Sequence, residues 1–200
     1  DPAPMLAEIA RRYLDRPELA NLPRKFKTAA TGHPSLDIAH EINDLSYVGV
    51  VHPRLGPGFD LWVAGGLSTS PRLGERLGVF CTEQEGPEVW YAMVRLFRDY
   101  GHRRLRNRAR LKFLLADWGV EKFRRVLEDE YLGRRLTDGP APALSVGNPD
   151  HIGVHDQKDG RRYVGLAPRV GRLSGEVLAG LADAVEVAGV QRRRSRCAVR

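Results

Sequence analysis

Two lysines in one short segment are the residues of this sequence whose type and spacing best suit chemistry. Lys25 and Lys27 alternate with Arg24 and Phe26 in the segment Leu22–Thr28, which reads LPRKFKT. Alternation of this kind predicts a strand, in which the two lysines share one face and their neighbours the other. An ammonium group about 4 Å from a small anion attracts it by about 4 kcal/mol at an effective dielectric near 20. From spacing alone, an exposed edge strand with solvated lysines is the commoner source of such a pattern, and a small-anion site is the alternative.

Cysteine and histidine offer little metal chemistry here. Cys81 and Cys197 are far apart and stand in no metal-binding spacing, so neither a zinc site nor a disulfide framework is expected, which suits a reducing cytoplasm. His33, His52 and His155 each lie beside turn residues and are expected to be surface or structural residues. No metal ligand is therefore assigned from the sequence.

The formal charge of +7 suggests an anionic partner, but the charge is not spread evenly. The arginines fall in two clusters, namely Arg103, Arg104, Arg106, Arg108 and Arg110, and Arg192, Arg193, Arg194, Arg196 and Arg200. Without the second cluster the protein is close to neutral, so nucleic acid is an unlikely partner. The first cluster fits a solvated helix face, with a docking face for an acidic protein as the alternative.

Apolar periodicity and turn residues predict the elements that must position these side chains. Helices are predicted over 5–14, 35–44, 88–101, 105–116 and 120–131, and strands over 47–51, 59–63 and 77–81. Pro87 opens the third helix, Trp118-Gly119 separates the last two, and Asn43-Asp44 is expected to cap or turn the chain. A glycine and proline-rich segment, 137–142, predicts a linker. A hairpin over 152–155 and 161–166 and a helix over 177–187 follow it, as in half of a ferredoxin-like unit.

Six segments together resemble the sulfite and nitrite reductase family that uses sirohaem coupled to a 4Fe-4S cluster. They are NLPRKFKT at 21–28, HEIND at 40–44, GFDLWVAGGLSTSP at 58–71, FRDYG at 97–101, RLKFL at 110–114 and GLAPRVGRLSG at 165–175. The resemblance runs in order through nearly everything from residue 4 to Gly189, which makes it far more specific than any one motif.

The resemblance implies roles for particular residues. Lys25 and Lys27 would bind sulfite or nitrite above the sirohaem iron, and Arg24 would lie nearer the acidic edge of the macrocycle. Gly65 and Gly66 would let backbone N–H groups come close to the cofactor. Cations suit this chemistry because they stabilise an anion and deliver the protons that its reduction consumes. The four cysteines that hold the family's cluster have no counterpart in this chain, so its ligands would lie outside the chain.

The resemblance also implies an α+β fold and a division of the chain. Residues 1–136 would form the first sirohaem and iron–sulfur reductase repeat, 137–150 a linker, 151–189 a truncated ferredoxin-like half-domain and 190–200 an atypical basic tail. The chain would then be the central part of an assimilatory, ferredoxin-dependent, cytoplasmic reductase that is monomeric at full length and touches no membrane. It would be inactive alone, and the alternative is a non-catalytic basic module that binds anions or nucleic acid.

Both ends of the chain support the expectation of a piece of a longer protein. The start, Asp1-Pro2-Ala3-Pro4, has neither an initiating Met nor the regions of a signal peptide. After Gly189 an arginine-rich tail stands where the family would enter a strand. A reading-frame shift or truncation near Gly189 would explain the tail, and a genuine basic arm is the alternative.

Overall fold

The computed structural model describes residues 1–68, 70–143, 150–157 and 159–187. The chain divides into two compact units, Asp1–Pro149 and Asp150–Arg200. Thr69 in the glycine loop, residues 144–149 of the predicted linker, and the predicted tail with Cys197 lie outside the described residues.

Five strands form the sheet of the first unit, in the order β1-β2-β3-β4-β5. They are β1 (Thr28–Thr31), β2 (Leu45–His52), β3 (Gly56–Val63), β4 (Glu75–Cys81) and β5 (Thr137–Asp138). β1 runs parallel to β2, and each other neighbouring pair is antiparallel. The predicted hairpin is confirmed as β2 and β3, and both strands are longer than expected. Only three residues separate them, none of which is glycine or has positive φ, and β3 begins at Gly56 with φ +76°.

Three helices complete the first unit: α1 (Ala3–Tyr13), α2 (Gly86–Tyr100) and α3 (Leu111–Val126), which continues into a π-helical turn at Leu127–Leu132. The apolar stripe predicted for α2 is confirmed, since Val89, Met93, Leu96 and Phe97 are fully buried. Tyr100 was expected on the same stripe, but it is 41% exposed at the end of the helix. No helix among the described residues is both long and apolar enough to cross a lipid bilayer.

The sheet and α2 enclose one hydrophobic core. Tyr47 of β2 is completely buried and donates a 2.9 Å hydrogen bond from its hydroxyl to the carbonyl of Gly86 at the start of α2. A buried tyrosine hydroxyl needs such a partner, because leaving it unpaired costs about 1–3 kcal/mol. The bond therefore fixes the helix to the middle of the sheet.

Gly119 interrupts α3, as the sequence predicted. Its backbone has φ 73° and ψ 164°, whereas the residues on either side are helical. Phe123 and Leu127 beyond the break are fully buried, also as predicted. The break thus turns the second half of the helix so that its apolar residues face the core.

Replacing Gly119 with Ala should lower the free energy of unfolding by about 1–2 kcal/mol, because only glycine adopts these angles without strain. The added Cβ would meet nothing within 4 Å, so the cost would be purely conformational. Urea unfolding followed by tryptophan fluorescence measures it. Gly180→Ala is the control, since this glycine lies within a regular helix and alanine there should be neutral or stabilising.

Four local predictions were wrong. Residues 22–27 are not part of a strand, and β1 begins only at Thr28. The helix expected over 35–44 is a single 3₁₀ turn at His40–Ile42, and Ser35 caps no helix. Residues 105–110 hold only a 3₁₀ turn at Arg106–Arg108. The segment expected to be a linker begins with β5, because Thr137 and Asp138 pair with Phe80 and Val79 of β4.

The second unit contains a hairpin and a helix, as predicted. Strands β6 (Gly153–Asp156) and β7 (Arg162–Gly165) are antiparallel, and α4 (Gly175–Val187) follows. The side chains of Val154, Val164 and Leu178 are more than half exposed. With its helices and mixed sheet, the chain has the α+β fold that the sequence predicted.

Candidate functional site

Lys25 and Lys27 lie on an irregular segment just before β1, and both side chains are exposed. Between them Phe26 points inward, with ring centroids 6.0 Å from Phe97 and 6.4 Å from Trp90. The predicted alternation of exposed lysines with an inward aromatic residue is therefore present without strand pairing. In the part of the chain that the structure describes, neither ammonium group forms a hydrogen bond or an ion pair.

The backbone of Lys27 is held at both of its polar groups. Its N–H donates to Oδ2 of Asp44 at 2.8 Å, and its carbonyl accepts from the N–H of Leu45 at 3.1 Å. Arg24 donates from Nη1 to the carbonyl of Arg106 at 3.1 Å. The main chain at Lys27 is thus held on both sides, while the two ammonium groups form no hydrogen bond.

Asp44 and Arg110 form a buried ion pair beneath this segment. Nη2 of Arg110 lies 2.8 Å from Oδ2 of Asp44, and Nε lies 3.3 Å from Oδ1. Asp44 is completely buried, and burial raises the pKa of its carboxyl, although Arg110 and the N–H of Lys27 act in the opposite direction. The sequence predicted only a cap or turn at Asp44, since nothing in its spacing indicated a partner 66 residues away.

Gly65 and Gly66 lie in the loop after β3, and both N–H groups are already used. Gly65 donates to the carbonyl of Asn43 at 2.8 Å, and Gly66 donates to the carbonyl of Arg72 at 2.9 Å. A Cβ on Gly65 would collide with the carbonyl of Glu41. The N–H groups of these two glycines are therefore bonded within the chain, and glycine is required at position 65 for close packing of backbone on backbone. The predicted approach of the loop's backbone N–H groups to a cofactor, at Gly65 and Gly66, stays a prediction.

Lys112 holds the loop after β3 by hydrogen bonds from its side chain. This lysine is buried, and its Nζ donates to the carbonyls of Gly66, Leu67 and Ser70 at 3.2, 2.8 and 2.5 Å. Burial lowers the pKa of the Lys112 ammonium, and the nearby Arg110 lowers it further. No role was predicted for Lys112, but a lysine between the buried positions 111 and 114 of a helix is a signal of a buried cation with several acceptors.

The arginines at 103–110 do not form one solvated helix face. Arg103 donates to the carbonyls of Asn21 and Arg98, and Arg110 is in the buried pair, whereas Arg104 and Arg106 are exposed. An open depression of about 490 Å³ lies beside this region, and it is lined by Ser70, Arg72, Asn107, Arg108, Phe113, Ala116 and Asp117. The cluster thus divides into arginines that hold the fold and arginines that face solvent.

The described donors fit sirohaem better than they fit an iron–sulfur cluster. Sirohaem carries carboxylates, and exposed guanidinium and ammonium groups such as those of Arg24, Lys25 and Arg72 are suitable partners for them. Cys81 is buried and donates its thiol to the carbonyl of Thr82 at 3.3 Å, and burial raises the pKa of this thiol far above its ordinary value. A thiol that resists ionisation in this way is a poor cluster ligand.

The structure links two of the predicted site regions through one short segment. Asn43 and Asp44 accept hydrogen bonds from Gly65 and Ala64 through their carbonyls, both at 2.8 Å, and Asp44 accepts Lys27 through its side chain. The lysine segment and the glycine loop are thus held by adjacent residues. Whether their functional groups act together stays a prediction.

Comparison with known proteins identifies one family. Residues 1–136 match the family model described as "Nitrite and sulphite reductase 4Fe-4S domain". Sulfite reductase (ferredoxin) 1 of Mycolicibacterium paratuberculosis is 56% identical over 194 residues, which are 97% of this chain and 35% of that protein. The assimilatory ferredoxin-dependent nitrite reductase of Haloferax mediterranei is 38% identical over 201 residues, covering 92% of this chain and 33% of that protein.

A solved structure agrees with these relatives. The structure of the Mycobacterium tuberculosis NirA protein matches this chain with a TM-score of 0.90 and 54% sequence identity. The match covers 94% of this chain and 34% of that one. The chain therefore spans about a third of the length of the proteins to which it is similar.

Proposed function

The chain belongs to the nitrite and sulphite reductase family, and from that membership we propose that Lys25 and Lys27 bind the sulfite or nitrite anion that such an enzyme reduces. The reaction is the six-electron reduction of sulfite to sulfide or of nitrite to ammonia by an assimilatory, ferredoxin-dependent enzyme. The observation that carries the proposal is a pair of exposed ammonium groups on a backbone anchored to a buried aspartate.

The two lysines suit this reaction in two ways. Hydrogensulfite takes up six electrons and six protons to give hydrosulfide and three water molecules, so the site must hold an anion while protons arrive. An ammonium group attracts the anion and can donate a proton to an oxygen that leaves as water. Nitrite is also an anion whose reduction consumes protons, and the same lysines therefore suit both substrates.

Sirohaem would be held by the cations around this segment. Arg24, with Arg72 across the glycine loop, would pair with the carboxylates of the macrocycle, which leaves Lys25 and Lys27 for the substrate. The chemistry that sirohaem supplies when bound is the delivery of electrons to the anion. The loop that contains Gly65 and Gly66 would lie beside the macrocycle, with these two buried glycines keeping its shape through their hydrogen bonds to Asn43 and Arg72.

The chain by itself is proposed to be inactive. The family's cluster needs four cysteine ligands, whereas this sequence has two cysteines, and the described one, Cys81, is buried with an un-ionised thiol. The complete enzyme is proposed to receive electrons from ferredoxin, to be monomeric and to work in the cytoplasm.

A chimera tests the role of the lysines. This chain would replace the segment that it matches in the M. paratuberculosis relative, and sulfite reduction would be measured with reduced ferredoxin. Lys25→Met and Lys27→Met should each raise KM for sulfite by about 10-fold, which corresponds to about 1.4 kcal/mol of lost attraction. Lys122→Met is the matched control, because Lys122 is exposed and lies over the ring of Trp118 at 4.8 Å, and its loss should change KM less than about 2-fold.

Three results would count against the proposal. An unchanged KM in both lysine variants would remove the anion-binding role. Stoichiometric sirohaem and sulfite reduction by the isolated chain would contradict its inactivity alone. Tight binding of nucleic acid that weakens steeply with added salt would favour a basic binding module instead.

A further inference from the structure

We propose that Asp44 is a positioning residue that fixes the place of Lys27 by accepting its N–H, while Arg110 neutralises the buried carboxylate. The inference rests on the proposed function, because it takes the lysines to be the anion-binding groups. Asp44 itself is buried and would touch neither substrate nor cofactor.

Asp44 connects three segments that are distant in the sequence. Its side chain accepts from the N–H of Lys27 and from Arg110, and its carbonyl accepts from the N–H of Ala64 at 2.8 Å. The lysine segment, the loop that leads to Gly65 and the start of α3 therefore meet at one residue. Such a residue can set the distance between an anion-binding group and the surface beside it.

The arrangement requires a carboxylate. Oδ2 accepts two donors, the N–H of Lys27 and Nη2 of Arg110, each at 2.8 Å, while Oδ1 accepts Nε of Arg110 at 3.3 Å. An asparagine could keep an oxygen in the place of Oδ2, but its NH₂ group would then face the Nε donor. Only two acceptor oxygens satisfy all three donors.

The position of an exposed lysine's ammonium group depends strongly on the position of its backbone. Among the described residues the Lys27 ammonium group forms no hydrogen bond or ion pair and is only attracted electrostatically by Asp44, so its reach is set mainly by the position of its Cα. Displacement of a binding group by about 1 Å can cost up to about 100-fold in rate. Loss of the Asp44 acceptor would release the N–H of Lys27 and let the segment move.

A second buried aspartate provides the comparison that separates positioning from simple stability. Asp60 is also completely buried and is paired with Arg76 at 2.8 Å, but its other side-chain partner is Trp62 on the same strand. Asp60 accepts no hydrogen bond from the lysine segment. Its removal should therefore disturb the core without moving Lys27.

The test compares two double variants that are uncharged at positions 44 and 110, of which only one keeps an acceptor for Lys27. Asp44→Ala/Arg110→Met removes the acceptor together with both charges, and Asp44→Asn/Arg110→Met keeps an acceptor oxygen. Because neither leaves a buried charge unpaired, both should fold. Hydrogen exchange of the Lys27 amide, measured in this chain, should be faster by about 10-fold or more in the alanine variant than in the asparagine variant.

The same pair is then measured in the chimera. KM for sulfite should rise by about 10-fold in the alanine variant relative to the asparagine variant, with kcat within about 3-fold, and Asp60→Ala should leave KM unchanged. In a Lys27→Met background the difference between the pair should disappear, because the position of Lys27 would no longer matter.

The outcomes separate the two proposals. If the lysine variants leave KM unchanged, the anion-binding role itself fails. If they raise KM but the asparagine and alanine variants show equal amide exchange and equal KM, Asp44 is only part of the core and the positioning role is wrong. An equal rise of KM in Asp60→Ala would likewise overturn it, since loss of stability would then explain the effect.

Discussion

Arg110→Met is expected to lower the free energy of unfolding by about 4 kcal/mol at pH 7. The substitution leaves Asp44 buried without its cation, and breaking a buried ion pair in this way costs about 3–5 kcal/mol. Protonation of Asp44 limits the loss. Protonating an aspartate whose ordinary pKa is about 3.9 costs about 1.4 kcal/mol for each pH unit by which the working pH exceeds that pKa. Urea unfolding at fixed pH measures the change.

The destabilisation should shrink as the pH falls. Without Arg110, the pKa of Asp44 rises further in the folded protein, so the folded state binds a proton that the unfolded state has released, and acid favours folding. At pH 5 the cost should therefore be only about 1.5 kcal/mol. Asp44→Asn/Arg110→Met should be more stable at pH 7 than Arg110→Met alone, since no charge is left unpaired. A loss that stays constant between pH 5 and 7 would show that packing, and not charge, is responsible.

Periodic elements were predictable because their signals are local. The apolar stripe of α2 follows the spacing of Val89, Met93 and Leu96, and the break in α3 follows Gly119. Each depends on residues within one or two turns. The same is true of the β2–β3 hairpin, in which strand alternation and turn residues stand next to each other in the sequence.

The lysine segment shows why a correct pattern can lead to the wrong element. Alternation predicted a strand at 22–28, but alternation needs only extended backbone, whereas a strand also needs a neighbour for its N–H groups. At Lys27 that N–H is taken by the side chain of Asp44, and ladder pairing starts one residue later at Thr28. The outward direction of the two lysines was therefore predicted correctly, whereas the strand that was expected to carry them was not.

The contacts of the buried charged residues that hold the site in place could not be predicted from spacing in the sequence. Asp44 and Arg110 are 66 residues apart, and Lys112 reaches back more than 40 residues to the loop after Gly66. Such contacts depend on how the completed sheet brings β2, the glycine loop and α3 together. Gly65 was selected through the family resemblance, and the collision of a Cβ there with the carbonyl of Glu41 is a contact that spacing does not show.

The second large effect concerns Asp60, whose titration should make the protein less stable as the pH rises from 4 to 7. Asp60 is completely buried in β3, and burial raises the pKa of its carboxyl to about 6, although Arg76 and the indole N–H of Trp62 lower it in part. In the unfolded chain the same carboxyl titrates near its ordinary pKa of about 3.9. Between these two values the folded state retains a proton that the unfolded state has lost.

The sign and size of the effect follow from that difference. The contribution of protonated Asp60 to stability is complete below about pH 4 and is lost as the pH rises through about 6, with a total near 3 kcal/mol. Asp60→Asn cannot titrate, so the stability of the natural chain relative to this variant should fall by that amount between pH 4 and pH 7. Glu128 has the opposite behaviour, because its pKa is lowered by Arg124 and Arg135 against the effect of burial, but it is present in both proteins and cancels in the comparison. Unfolding free energies from urea titrations at half-unit steps of pH would give the curve. A relative stability that rises with pH would mean that Arg76 outweighs burial, and that the Asp60 carboxyl is ionised throughout this range.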